Sequence, residues 1–330
     1  MRIRKFNPET MKEHPSILIC GAKRTGKSRL LRYLLYVLRK RWNLGFMLHG
    51  TRDGMEDFKD ILPSLMNKSY TQERFHAFWK KIMECEEYIN EKKLNLLMGL
   101  DDCTYDKKLM RTKDFRELMF DGRHARLTPI ICSQYCMDMG PEIRTNFDYI
   151  FLTRQTKLDV RKKLREYFFG MLSQKEFDKV LDGCTKNYEV LVVDQTQVHS
   201  NNPEDCLFYY KAELNLPEFK LFDDVFWKLD EAGHKYLTEV ANTTAGGTGP
   251  IDEKHKSGQT IVATKDKKQS EQKGQALTKT TTVPSLRAQG LAKDAVHATS
   301  SSNDMKTQHH PIEHSEEEYR DILLGPGTHR

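Results

Sequence analysis

The sequence predicts an α/β fold: a mainly parallel sheet with helices on both faces, plus a disordered C-terminal tail. Three observations carry the prediction. From Ser16 to Leu229, short apolar runs alternate with helical periodicities, the pattern of strands joined by helical crossovers. Ser16–Cys20, Leu94–Cys103 and Leu127–Gln134 are largely apolar rather than alternating, as expected of strands covered on both faces. The first of these runs passes through a glycine-bounded turn straight into a leucine-rich helical pattern.

Taken in order, Met1–His14 is a basic, polar lead-in with a short edge strand expected around Arg2–Phe6. Ser16–Cys20 is the first buried strand, bounded by Pro15 and Gly21. Ser28–Trp42 places Leu30, Leu31, Leu34, Leu35 and Leu38 at helical spacing. Leu44–Thr51 is a second strand, closed by the turn in TRDGMED. Glu56–Lys93 is helical with a break near Pro63–Ser69, and its stripe of Phe75, Phe78, Trp79, Ile82 and Met83 is core. The apolar strand Leu94–Cys103 follows, then a basic helix over Asp106–Phe120, the strand Leu127–Gln134 and a short turn or helix at Pro141–Asn146. A fifth strand is expected at Asp148–Arg154, then helices at Lys157–Phe169 and at Ser173–Leu181, the latter with Ser173 as N-cap. Tyr188–Gln195 and Cys206–Ala212 read as two more strands, and Leu216–Leu229 brings the last dense aromatics.

Near Glu231 the composition changes. From Ala241 to Arg330 there is no Phe or Trp, and Tyr319 is the one tyrosine. Such a segment buries too little apolar surface to offset its conformational entropy. The expected organisation is therefore a lead-in (1–14), one α/β domain (15–230) and a disordered tail (231–330), in which Glu316–Leu324 reads as a solvated charge run, with a short binding helix as the alternative. Hydrophobic residues make up 38% of the 330-residue chain, and the mean hydropathy of −0.69 is low for a wholly folded protein. A net charge of +6 is compatible with nucleic acid without requiring it. The seven cysteines show no C-x-x-C pair and no zinc-site spacing. No signal-peptide pattern and no membrane span is expected, which points to a reduced intracellular setting.

The chemistry starts at GAKRTGKS: Gly21, Ala22, Lys23, Arg24, Thr25, Gly26, Lys27 and Ser28. Every fixed position of the phosphate-binding template G-x-x-x-x-G-K-[S/T] is met, in the strand–loop–helix context it needs. Gly21 and Gly26 permit backbone geometry that a Cβ would obstruct, so that successive N–H groups at a helix N-terminus converge on phosphate oxygens. Lys27 is suited to the β- and γ-phosphates and Ser28 to Mg²⁺. The expected cofactors are a nucleoside triphosphate, ATP by preference, and Mg²⁺. Asp101 leaves the end of an apolar strand, where a carboxylate holds Mg²⁺ through water. Asp102 beside it is suited to polarise the attacking water. The chain between Lys27 and Asp101 has room for an extra strand, and Leu44–Thr51 reads as one. That is the arrangement of the additional-strand (ASCE) class of P-loop NTPases, in which Gln134, at the next strand end, matches the polar γ-phosphate sensor.

FNPETMKEHPSILICGAKRTGKS, LMGLDDC, DGRHARLTPIICSQ, PEIRTNFDYIFLTR and VLVVDQTQVHSNNPEDCLFYYKA resemble the genome-packaging ATPases of nucleocytoplasmic large DNA viruses. These are poxvirus-type relatives of the FtsK/HerA superfamily. The resemblance covers residues 5–230. It implies a ring-shaped homo-oligomer that pumps double-stranded DNA into a capsid, contacts capsid or inner-membrane virion proteins, and acts in the host cytoplasm at sites of assembly and in the virion. It also implies an arginine reaching the neighbouring subunit's γ-phosphate: Arg144 is the first choice, with Arg123 and Arg154 as alternatives, and Arg24 inside the loop as one that acts within its own subunit. Relatives in the wider superfamily often carry Glu where this chain has Asp102. DNA contact is expected from Lys107, Lys108, Arg111, Lys113 and Arg116, or from Arg161, Lys162, Lys163 and Arg165, through backbone phosphates rather than bases. The rival functions are a nucleotide or nucleoside kinase and a non-enzymatic NTP-dependent scaffold or switch.

Overall fold

The computed structural model describes residues 1–245 apart from 198 and 201. Its strands are β1 (Arg4–Lys5), β2 (Ile17–Cys20), β3 (Leu44–His49), β4 (Asn67–Ser69), β5 (Leu96–Asp101), β6 (Leu127–Ser133), β7 (Tyr149–Leu152), β8 (Glu189–Asp194) and β9 (Leu207–Lys211). The helices are α1 (Lys27–Leu38), α2 (Arg52–Glu56), α3 (Gln72–Glu84), α4 (Glu86–Glu91), α5 (Lys113–Asp121), α6 (Pro141–Arg144), α7 (Leu158–Phe168), α8 (Gln174–Cys184), α9 (Pro203–Cys206) and α10 (Asp224–Ala245). The strands form a single nine-stranded sheet in the order β1-β9-β8-β7-β2-β6-β5-β3-β4.

The sheet is mostly parallel. β2 lies between β6 and β7, with Ile17 opposite both Ile130 and Tyr149. β5 pairs with β6, β3 with β5 and β4 with β3, all parallel. β8 runs antiparallel to both β7 and β9, and β1 pairs parallel with β9. Every residue of β2, β5 and β6 is buried, so both faces are covered at the centre, as their unbroken apolar runs require. Leu30, Leu31, Leu34, Leu35 and Leu38 form the buried side of α1.

A single strand, β6, separates the phosphate-loop strand β2 from the aspartate strand β5, which is the order of the additional-strand P-loop NTPases. The inserted strand is not Leu44–Thr51. The chain leaves β2, crosses outward to β3 and returns through β5 to β6, so the strand that intervenes in space comes after Asp101 in sequence.

Other differences have local causes. β4 is a three-residue edge strand, Asn67–Ser69, attached through its backbone to β3, and it lacks the apolar run that would announce it. The helix expected over Asp106–Phe120 begins only at Lys113, because Asp102 turns left-handed (φ 51°), short 3-10 turns occupy 103–105 and 109–111, and Thr112 caps α5 by accepting from the Phe115 N–H. Met83 is 37% exposed and lies outside the core stripe. Ser173 caps α8 in a full capping box with Glu176. α10 runs past the expected boundary at 230 to Ala245. The remainder of the tail, including the Glu316–Leu324 segment, lies outside the described residues.

Candidate nucleotide site

The loop Gly21–Ser28 joins the end of β2 to α1 at the carboxyl edge of the parallel strands. Its shape depends on two glycines. A Cβ on Gly21 would lie 1.6 Å from Thr153 Oγ1, so only glycine lets the chain pass the end of β7. Gly26 has φ 92° and forms the N-cap of α1, a conformation that disfavours any side chain. Arg24 is also left-handed, at φ 63°. The loop is tied down by Thr25, whose Oγ1 donates to the Ala22 carbonyl (2.7 Å) and lies 2.7 Å from Thr153 Oγ1. Lys27 is buried, and its Nζ donates to the Ala22 carbonyl at 3.2 Å. The ammonium is thus already turned into the cradle. Lys23, Arg24 and Ser28 are exposed.

Asp101 ends β5 and is 5% exposed. In-register pairing sets it opposite His49 of β3, whose Nδ1 lies 3.4 Å from Asp101 Oδ2. Asp102 follows on the left-handed turn, and Gln134 Nε2 donates to its Oδ2 at 3.0 Å. Its Oδ1 is buried with no partner among the described residues. Asp102 and Gln134, read from the sequence as base and sensor, are therefore in direct contact. Burial, reinforced by the charges of Asp101 and Asp102, pushes the Cys103 and Cys132 thiols up, so both neighbours stay neutral beside the carboxylates.

Among the described residues no group of three or more His, Cys, Asp or Glu could hold a metal alone. The donors present suit a hard cation that draws most of its ligands from phosphate and water. Asp101 and the Ser28 hydroxyl are the residues that would hold it, and the unpartnered Oδ1 of Asp102 fits a hydrated ion nearby.

The cations divide. Arg144 donates to the Met139 carbonyl of its own chain, and its guanidinium sits 3.7 Å from the Tyr167 ring centroid; it is not aimed outward from the site. Arg123 pairs with Asp148 at the opposite edge of the sheet. Arg154, just past β7 and next to Thr153, is exposed and has no hydrogen bond or ion pair among the described residues. Lys107, Lys108, Arg111, Lys113 and Arg116 are all exposed. The second basic cluster is different: Arg161 is 8% exposed and joins α7 to α8 through Asp178 (2.7 Å) and Asp182 (2.9 Å). Arg165 donates to the Leu172 carbonyl. Only Lys162 and Lys163 of that cluster are exposed.

Three residues at the site carry no readable sequence signal. His49 hides at the end of an apolar strand. Thr153 looks like any strand-end threonine. Tyr188 stands just before β8, whose start the antiparallel pairing places at the loop's edge of the sheet. By contrast, the Asp194–Gln197 turn lies at the other edge, where Thr196 and Gln197 donate to Asp194.

No family model matches the chain. It is 32% identical to the uncharacterized protein 075L of Invertebrate iridescent virus 6, over 59% of this chain and 76% of that protein. With the uncharacterized protein L437 of Acanthamoeba polyphaga mimivirus it shares 31% identity, over 63% of this chain and 76% of that one. The chain belongs to the viral family of 075L and L437. Both of these family members come from nucleocytoplasmic large DNA viruses, the group named by the sequence resemblance. Among solved structures the family member is similar to the genome packaging NTPase B204 of Sulfolobus turreted icosahedral virus 2 in complex with sulfate, at 19% identity over 62% of this chain and 100% of that chain, with a TM-score of 0.46.

No helix among the described residues of this family member is long and apolar enough to cross a membrane.

Proposed function

We infer that the chain is a Mg²⁺-dependent ATPase that works as a homo-oligomeric ring and moves double-stranded DNA into a capsid. The observation that carries the hydrolytic part is the Gln134–Asp102 hydrogen bond at the ends of two adjacent strands, β6 and β5, beside the phosphate loop.

Loop N–H groups and Lys27 bind the phosphates, with Lys27 exchanging the Ala22 carbonyl for phosphate oxygens. Mg²⁺ held by Ser28 and Asp101 would neutralise charge on the phosphates. Gln134 holds one oxygen of Asp102, which leaves Oδ1 to accept a proton from, and so aim, the attacking water. Gln134, bonded to Asp102, is our choice for the group that senses the γ-phosphate. Arg154, exposed at the same edge, is our choice for an arginine acting on the neighbouring subunit's nucleotide, in place of the internally bonded Arg144. The exposed cations from Lys107 to Arg116 follow Asp102 directly and suit a sequence-independent grip on DNA phosphates. Capsid or inner-membrane virion proteins, met in the host cytoplasm during assembly, complete the proposed partners.

The test is phosphate release from ATP by the full chain, with and without mixed-sequence double-stranded DNA and with no small-molecule acceptor. Mg²⁺-dependent turnover stimulated by DNA is expected, and Lys27→Ala should abolish it with the fold intact. Silence without an acceptor would favour a kinase. Turnover indifferent to DNA would sink the motor while leaving the hydrolase.

A further inference from the structure

We propose that Tyr188 and the segment 213–218 form the seat for the nucleoside end of the triphosphate. The inference rests on the nucleotide-site reading above and adds where the base and ribose go.

Tyr188 is 66% exposed although it stands immediately before the buried strand β8. Its ring does not drift into solvent: a Cβ built on Gly26 would lie 3.3 Å from Tyr188 Cδ1. The ring therefore lies against the phosphate loop itself. The backbone is forced to put it there. Asn187 and Tyr188 are consecutive left-handed residues, at φ 50° and 62°. Asparagine tolerates that region, but a bulky aromatic is an outlier in it. Strain of this kind persists where the surrounding structure over-determines it, and clusters at ligand clamps.

The second wall comes from across the same strand pair. Glu189 of β8 stands opposite Lys211, the last residue of β9, so the chain leaving β9 starts out beside Tyr188. Glu213, Leu214, Leu216, Pro217 and Glu218 of that exit then line a cavity of about 390 Å³ with Ser28 and Arg29 at the start of α1, and the Arg32–Asp60 ion pair, Asp57 and Phe58 complete a mixed, largely charged lining. A volume of several hundred Å³ is that of a small-ligand seat, and the carboxylates in this one suit ribose hydroxyls. A triphosphate held by the loop would leave it at Ser28 and Arg29, which line this cavity, and would carry its nucleoside toward the rim on the edge where Tyr188 stands. Base stacking on an aromatic face tolerates any base, so the seat would bind nucleosides in general.

The experiment compares ATP with inorganic tripolyphosphate, both with Mg²⁺, by calorimetric titration of the full chain. Tyr188→Ala should weaken ATP binding about tenfold, the worth of one base–aromatic stack, and leave tripolyphosphate binding unchanged. Tyr188→Phe should bind both ligands like the wild type. Leu216→Asp should weaken ATP selectively as well. If Tyr188→Ala binds ATP normally while Lys27→Ala loses both ligands, the phosphate site stands and the nucleoside seat is wrong. Equal loss of both ligands in Tyr188→Ala would assign the ring to loop shape and overturn the seat. Retention of both ligands by Lys27→Ala would remove the phosphate site and the seat together.

Discussion

The two flanks of the phosphate-loop strand are built on different rules. On one side β6, β5 and β3 run parallel to β2, and the polar side chains at their carboxyl ends hold one another: His49 against Asp101, and Gln134 against Asp102. On the other side the direction reverses at β8, so both termini of strands and an exposed aromatic reach the same edge. There one short contact, Thr153 to Thr25, ties the flank to the loop, and the ion pairs are in the Arg161 clamp between α7 and α8. Parallel strands gather side chains for chemistry, because all their carboxyl ends meet at one edge. The antiparallel flank contributes shape.

The largest effect that could break this contrast is at Asp102. Asp102→Asn keeps the hydrogen-bonding size but removes the anionic acceptor, so kcat should fall about a thousandfold. Gln134 can still reach the amide, so the thermal midpoint should stay close to that of the wild type. A steady-state phosphate-release assay beside a melting curve reads both. Near-normal turnover would show that the parallel flank does not carry the chemistry.

How far the site could be read in advance follows the same division. The loop, Asp101, Asp102 and Gln134 are legible because each sits at the end of an apolar run, where a strand must stop and a polar residue is conspicuous. His49 is also at such an end, but only the β3–β5 register sets it opposite Asp101, and register between non-consecutive strands is a tertiary property. The same holds for the inserted strand, since order in the chain does not give order in the sheet. Tyr188 was hidden because its role comes from two left-handed residues and from a reversal of strand direction. Charge runs hid the distinction between Arg116, exposed on α5, and Arg161, buried between helices: periodicity locates a face but not what covers it.

An intermediate effect tests the other flank. Arg161 is 8% exposed, and its Nε meets Asp178 within ion-pair reach, though not in hydrogen-bond alignment. Its Nη2 reaches Asp182 and the Asp178 carbonyl. Removing one partner of a buried pair is costly, but both aspartates remain partly hydrated, which limits the loss to about 2 kcal/mol. Arg161→Met should lower the thermal midpoint by roughly 4–8 °C, with kcat per folded molecule unchanged at low temperature. If turnover fell while stability held, the antiparallel flank would have a catalytic share that the geometry does not give it.

The smallest effect concerns His14, which lies before β2 at the edge remote from the loop. Burial lowers its pKa to about 4, and the positive charges of Arg126 and Arg41 add to the shift while Glu13 opposes it. The folded state thus prefers neutral His14, whereas the unfolded chain protonates it near its ordinary pKa of about 6.5. The stability it contributes is fully present above that pH and is lost as pH falls from there toward 4. The size should be on the order of 1 kcal/mol, because the ring is only partly buried and solvent screens it. His14→Asn, which keeps a residue tolerant of the left-handed backbone at φ 47°, should flatten that limb of the urea-stability profile between pH 7 and 4. It should leave the response of Arg161→Met untouched, because the two sites share no partner. A wild-type profile already flat over that range would show that His14 is protonated in the fold and that its positive neighbours do not act on it.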